Sequence, residues 1–293
     1  MANFVLSAFA DEAGAPLAEQ IRALQENGIG YIEPRNIGGK SIADLTDEEL
    51  RDMRHVLDDG GIRTGSIGSP VGKFPIHEPF SAHEPVFRRC LAAAHILGTD
   101  KMRMFSFFVG QDELAACRDE VMERLCRMVE IARAEGVTLC HENESRIYGQ
   151  MPAEVKDILD TVPGLYGIFD PANYIMNGAD VTEGIRATLT RFAYMHIKDA
   201  IHETHTIVPA GEGEGKIGQI LDTVNDAVSG TVMLTLEPHL HLFDAYKSID
   251  THELKGKYNF RTNREAFDCA ADALRGVLTA HGYRKDENNQ WKK

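Results

Sequence analysis

Four apolar segments of this chain each end in a side chain that can bind a hard or borderline metal ion. Leu139-Cys140-His141-Glu142-Asn143 and Gly167-Ile168-Phe169-Asp170-Pro171 finish in carboxylates. Tyr194-Met195-His196-Ile197-Lys198-Asp199 supplies an imidazole, and Leu234-Thr235-Leu236-Glu237-Pro238-His239 a third carboxylate. The gaps are 28 (142 to 170), 26 (170 to 196) and 41 (196 to 237) residues, spacings that fit one strand–helix unit between neighbours. Singly, each has a plainer use: a carboxylate closing a strand often caps the next helix, and a histidine in an apolar strand is often a hydrogen-bonded core residue. Together they need another account. Three carboxylates aimed into one apolar-walled cavity repel one another and lose hydration, a cost that a divalent cation removes. The donor set suits one Mn²⁺, Mg²⁺, Co²⁺ or Zn²⁺ ion, with positions left open for water or substrate.

The elements that must position these residues alternate along the whole chain. β-rich runs fall at 4–9, 29–33, 62–67, 102–107, 137–142, 165–170, 193–198 and 232–237. Helical stretches separate them. Leu17, Ile21 and Leu24 share a face before a stop at Gly28; Thr46-Asp47-Glu48-Glu49 opens a second helix; a third spans 84–97 and stops at Gly98. Val121, Leu125, Met128 and Ala132 recur at helical spacing, and Phe267, Ala270, Leu274 and Val277 mark the last helix. Eight such units predict an α/β fold, a (β/α)₈ barrel over residues 1–283. A doubly wound sheet would carry a GxGxxG turn after its first strand, where this chain has Ala10-Asp11-Glu12-Ala13-Gly14. Residues 284–293 read as a solvated tail. Long connections at 68–83 and from Leu240 to Thr262 are expected to cover the barrel mouth.

The charge balance narrows the partners. Lys+Arg 31 against Asp+Glu 45 gives a net charge of −14, which repels polyanions and argues against nucleic acid or an anionic membrane as partner. No apolar run approaches a membrane span. The first residues lack a secretory leader, and the five cysteines lack CxxC spacing, so free thiols and a cytoplasmic location are expected.

The motifs Glu142-Asn143, Asp170-Pro171-Ala172-Asn173, His196-Ile197-Lys198-Asp199 and Leu236-Glu237-Pro238-His239 resemble the xylose isomerase-like TIM barrel superfamily, in its sugar-phosphate isomerase/epimerase branch. Tyr31-Ile32-Glu33-Pro34-Arg35 and Gly211-Glu212-Gly213-Glu214-Gly215 add to the resemblance, which spans nearly the whole chain. It implies an isomerase or epimerase that acts on a small sugar, ketose or polyol through a metal-stabilised enediolate. Glu142 and Glu237 would move the proton on opposite faces of one carbon, and His196 and Asp170 would serve as ligands. It also implies a possible homo-oligomer. The chain departs from related epimerases at Asn173, where they often place a histidine, and at His202, where they often place an arginine. Both departures alter expected substrate contacts.

Further contact candidates stand at strand ends. Glu33 either reaches the pocket or pairs with Arg35. Arg103, inside an apolar strand, requires a carboxylate partner. Lys198 either faces a substrate oxyanion or pairs with Asp199 or Glu33. His239 opens the last long loop, where Lys255, Lys257 and Arg261 also cluster. The 211–215 loop reads as a flexible lid, because its two glutamates would repel a bound anion. The same fold and metal also suit a lyase or dehydratase, an endonuclease-like hydrolase, or a non-catalytic sugar-binding barrel.

Overall fold

Side-chain alternation decides which residues of each strand face the barrel axis. The computed structural model describes residues 1–241, 258 and 260–293. Its barrel strands are β1 (Ala2–Ala8), β2 (Tyr31–Ile32), β3 (Arg63–Thr64), β4 (Lys101–Met104), β5 (Thr138–Glu142), β6 (Tyr166–Phe169), β7 (Phe192–Ile197) and β8 (Gly230–Leu236). All neighbours run parallel. β1 pairs with β8 from Ala2↔Gly230 to Ala8↔Leu236, and β8–β7, β7–β6, β6–β5 and β5–β4 continue the ring. β2 and β3 are short and pair with each other. Backbone bonds beyond their ends close the circle: Arg103 N donates to Ile67 O at 2.9 Å, and Glu33 N to Ala8 O at 3.0 Å.

Helices α1 (Leu17–Glu26), α2 (Asp47–Asp59), α3 (Glu84–Leu97), α4 (Leu114–Ala134), α5 (Pro152–Thr161), α6 (Pro171–Met176), α7 (Val181–Thr188), α8 (Ile217–Ala227) and α9 (Asn263–Ala280) surround the strands. Local chemistry sets their ends. Thr46 Oγ1 accepts from Glu49 N at 3.2 Å while Glu49 Oε2 accepts from Thr46 N at 2.8 Å, the reciprocal cap that the sequence predicts. Gly98 ends α3 at φ 72°, a left-handed conformation that glycine adopts without steric cost. Val121, Leu125, Met128 and Ala132 are all buried beneath α4.

Two apolar layers result. Phe4, Leu6, Ala8, Leu139, Phe169, Met195, Leu234 and Leu236 pack outward against the helices. Val5, Cys140, Ile168, Tyr194 and Met233 form a separate cluster inside the barrel. A two-residue step up the strand from four of these inner residues reaches Glu142, Asp170, His196 and Thr235, and a further step on β8 reaches Glu237. The apolar cluster is thus the floor on which the polar mouth stands.

The connection after Gly68 is well packed. Phe105 N, Phe107 N and Phe108 N donate to the carbonyls of Val71, Gly72 and Phe74 at 2.8–3.0 Å, so this loop extends the β3–β4 pairing above the barrel. At Gly72 (φ 90°) a Cβ would lie 1.9 Å from Phe105 O, so only glycine allows that approach. Lys255 and Lys257 lie outside the described residues.

The last ten residues correct an expectation. They do not form a solvated tail: Arg284–Lys285 and Trp291–Lys292 pair antiparallel, and Trp291 pairs with Phe4 of β1. Trp291 is buried, so the apolar area of one indole outweighs the polar composition of its neighbours. Trp291→Ala is therefore expected to lower stability by about 3 kcal/mol in urea unfolding; an unchanged midpoint would show that the hairpin contributes nothing.

Candidate metal centre

Glu142 at the end of β5, Asp170 after β6, His196 on β7 and Glu237 after β8 converge as the alternation requires. Each offers a ligand atom, and these atoms all lie within 4.8 Å of one another. All four side chains are buried. His196 Nδ1 faces the group, 3.1 Å from Glu142 Oε1 and 3.6 Å from Glu237 Oε2. Asp170 doubles as the cap of α6, accepting from Asn173 N at 2.9 Å through Oδ1. Its Oδ2 accepts no hydrogen bond, although Lys198 Nζ stands 2.9 Å away. Asn143 fixes the backbone beneath: its amide donates to Asp170 O and its carbonyl oxygen accepts from Asp170 N, both at 2.9 Å.

Cations grip this carboxylate group from three sides. Arg103 Nη1 lies 3.2 Å from Glu142 Oε2, the carboxylate partner that its buried position requires. Arg35 Nη1 lies 3.1 Å from Glu237 Oε1. Lys198 Nζ bridges Asp170 and Glu237, the latter at 3.1 Å, so its partners are neither Asp199 nor Glu33. Arg35 also does not pair with Glu33. Its guanidinium forks onto Asp11 at 3.0 and 3.1 Å and reaches Glu12 at 3.3 Å. Glu33 instead accepts from Tyr194 Oη at 2.7 Å, with its other oxygen 3.4 Å from His196 Nε2.

Of the remaining candidates, Asn173 Nδ2 lies 3.4 Å from Glu142 Oε1. His239 Nε2 lies 3.3 Å from Glu12 and 3.5 Å from Glu237. His202 is not brought to the group. It is exposed, its ring bonded to Ile175 O at 2.8 Å near the end of α6 and its backbone N donating to Glu214. His141 alternates to the opposite side of β5 from Glu142 and bonds Ser106 Oγ at 2.8 Å.

Sequence reasoning missed Asp11 and Glu12, which carry the inner ion pairs of Arg35. Their signal was present, since an adjacent acidic pair just beyond an apolar barrel strand sits at the face where sites form. The 211–215 loop is also corrected. It is a cradle: Gly211 N and Gly213 N donate to Asp199 Oδ2, and Gly215 N and Ala200 N to Oδ1, at 2.8–3.1 Å. The anion it holds is the chain's own Asp199, gathered by converging backbone amides. A Cβ on Gly213 would lie 2.3 Å from Asp199 Oδ1.

Electrostatics follow from burial and these contacts. Burial alone would push the His196 imidazole down, but the Glu142 and Glu33 carboxylates lift it to about 10. Burial lifts the Asp170 carboxyl to about 7 against the pull of Lys198. Burial would likewise lift Glu142, yet His196 and Arg103 hold it at about 2. Burial, partly opposed by Arg35, drives Glu12 up to about 8. Asp11, Glu12, Glu33, Glu142, Asp170 and Glu237 are six carboxylates against three permanent cations, Arg35, Arg103 and Lys198. Without a metal, that excess is neutralised by protons, on His196 and Glu12 and in part on Asp170. This reliance on protons, the Asp170 oxygen without a hydrogen bond and the oxygen–nitrogen donor set all fit a divalent cation, and the four-residue group could hold one.

A family model described as a xylose isomerase-like TIM barrel matches residues 21–255. No curated protein matches the chain. Among solved structures it resembles an L-ribulose 3-epimerase (17% identity, 96% of each chain, TM-score 0.70). It also resembles the IOLI protein with a bound zinc atom (14% identity, 95% of this chain and 99% of that one, TM-score 0.71). A third is a probable 3-DHS dehydratase from Bacillus anthracis (15% identity, 94% and 99%, TM-score 0.67). At these identities the likeness establishes the fold alone.

A cation that takes His196 Nδ1 and Asp170 must displace the protons these groups hold without it. Its affinity therefore rises with pH, since metal competes with fewer protons. Calorimetric titration with Mn²⁺ in buffers of different ionisation enthalpy is expected to show nearly two protons released per ion well below pH 7, falling to about one above it. An affinity and proton count independent of pH would exclude these ligands.

Proposed function

This chain belongs to the xylose isomerase-like TIM barrel family, and from that premise we propose that it is a divalent-metal-dependent isomerase or epimerase. Its substrate is a small sugar, ketose or polyol. One observation carries the reading: two glutamates, each restrained by its own arginine, flank one imidazole. Glu142 is held by Arg103 and Glu237 by Arg35, with His196 Nδ1 within 3.6 Å of both. A base and an acid that must act on one carbon need this kind of fixed, paired placement.

Glu142, Asp170, His196 and Glu237 would hold the ion. When bound, Mn²⁺, Mg²⁺, Co²⁺ or Zn²⁺ supplies a Lewis acid that raises the acidity of a proton beside a carbonyl. One of Glu142 and Glu237 takes that proton, and the other returns one on the opposite face. Carboxylates as strongly stabilised as these are weak bases, so the substrate's acidity must do much of the work. Lys198, kept charged between Asp170 and Glu237, is placed to donate to a substrate oxygen. Burial of the whole group excludes water that would otherwise compete for the proton. Arg35, Asn173 and His239 complete the wall around the two glutamates. His202 adds nothing to this wall, because its contacts lie on α6 and Glu214.

The test is a panel of ketoses and polyol ketones in D₂O with saturating Mn²⁺. One substrate is expected to gain deuterium at the carbon beside its carbonyl, with Glu142→Gln and Glu237→Gln each slowing exchange by about 100- to 10,000-fold. Loss of water in place of stereochemical inversion or carbonyl migration would make the enzyme a lyase. Variants that exchange as fast as wild type would end the proton-transfer assignment.

A further inference from the structure

We propose that Glu33, oriented by Tyr194 and Ser66, is the positioning residue that presents His196 Nδ1 to the metal; the inference rests on the metal reading above. His196 is fully buried, and its ring has two polar ends. Nδ1 looks into the ligand group, between Glu142 and Glu237. Nε2 looks the other way, 3.4 Å from Glu33 Oε2. Among the described residues neither of these two atoms completes a hydrogen bond, not even with the other, so at 3.4 Å they face each other as an open ion-pair contact that a small shift on metal binding would close.

Glu33 is itself immobilised. Its Oε1 accepts from Tyr194 Oη at 2.7 Å, Tyr194 Oη lies 3.0 Å from Ser66 Oγ, and its backbone N is tied to Ala8 O. Glu33, Ser66, Tyr194 and His196 are all essentially inaccessible to solvent, so water cannot replace any link. Tyr194 also belongs to the apolar floor of the barrel, and it stands two residues before His196 on the same strand. The chain Ser66–Tyr194–Glu33–His196 therefore runs from the floor to the ligand group.

The chemistry asks for this arrangement. A neutral imidazole carries its proton on one nitrogen only, and the other must offer its lone pair to the ion. A carboxylate at Nε2 keeps the proton there, fixes the ring plane and makes Nδ1 a stronger donor. The ring also meets Phe9 edge-on and Tyr194 at a tilt, at centroid distances of 5.1 and 5.7 Å, contacts that pack the ring but cannot select its tautomer.

Mn²⁺ affinity of the full chain is measured by calorimetry at one pH for wild type, Glu33→Gln and Tyr194→Phe. The Nε2–H signal of His196 is followed by ¹⁵N NMR in the Zn²⁺-loaded, diamagnetic forms. Glu33→Gln is expected to bind Mn²⁺ about 10- to 100-fold more weakly, and Tyr194→Phe more weakly by a smaller factor. The Nε2–H proton should resist exchange in wild type and lose that protection in Glu33→Gln, while melting in chelator stays near the wild-type value. Equal Mn²⁺ affinity with an unchanged Nε2–H signal would overturn the inference. If Glu33→Gln does not fold, Tyr194→Phe decides by the same two readouts. A wild type that binds no Mn²⁺ would overturn the metal reading itself and this inference with it, an outcome distinct from a wild type that binds and a variant that binds equally well.

Discussion

Six carboxylates share the mouth of one barrel, and their mutual repulsion governs the surrounding architecture. Two like charges 4 Å apart cost about 4 kcal/mol at an effective dielectric near 20, a large share of the roughly 5–15 kcal/mol that keeps a domain folded. The chain answers with cations at fixed heights: Arg103 on β4, Arg35 beyond β2 and Lys198 just beyond β7. Phe9 supports two of them, with the Arg35 and Arg103 guanidiniums 4.5 and 4.8 Å from its ring centroid, and its ring also packs against His196. Those three cations alone do not balance six carboxylates; protons on His196, Glu12 and in part Asp170 make up the difference, and the group could exchange them for a divalent cation.

Rigidity around the centre is built from backbone as much as from side chains. Asn143 exchanges two hydrogen bonds with the Asp170 peptide, locking the ends of β5 and β6 together. Asp199 gathers the amides of Gly211, Gly213 and Gly215 and so ties that loop to the strand that carries His196. Gly72 lets the loop after β3 lie directly on Phe105. These devices hold the strand-end side chains in position through backbone hydrogen bonds and close packing, and so keep several strand ends in register.

Much of this was legible because a strand has a period of two. Cys140 and Glu142, Ile168 and Asp170, and Tyr194, His196 and Lys198 read as apolar floor followed by polar mouth, so the convergence of the four strand-end side chains followed from alternation. The need of Arg103 for a carboxylate was legible, whereas its identity as Glu142 was not. Partners separated by most of the chain were not legible. Nothing local to Glu33 says that Tyr194, 161 positions away, occupies it, nor that Arg35 turns to Asp11. The 284–293 segment misled because its polar composition outweighs one tryptophan in a count but not in packing. The glycine loop misled because its anion is internal. His202 misled because a position counted from the strand-seven histidine falls on a hairpin, Asp199–Ile201 with Thr206–Val208, that carries the side chain out to solvent.

The central claim is a single ion at one place, and a crystal of the full chain soaked in Mn²⁺ tests it most directly through anomalous scattering. The expected result is one peak within bonding distance of carboxylate oxygens of Glu142, Asp170 and Glu237 and of His196 Nδ1. A peak on Glu12 and His239 instead, or no ordered ion at saturating Mn²⁺, would contradict it.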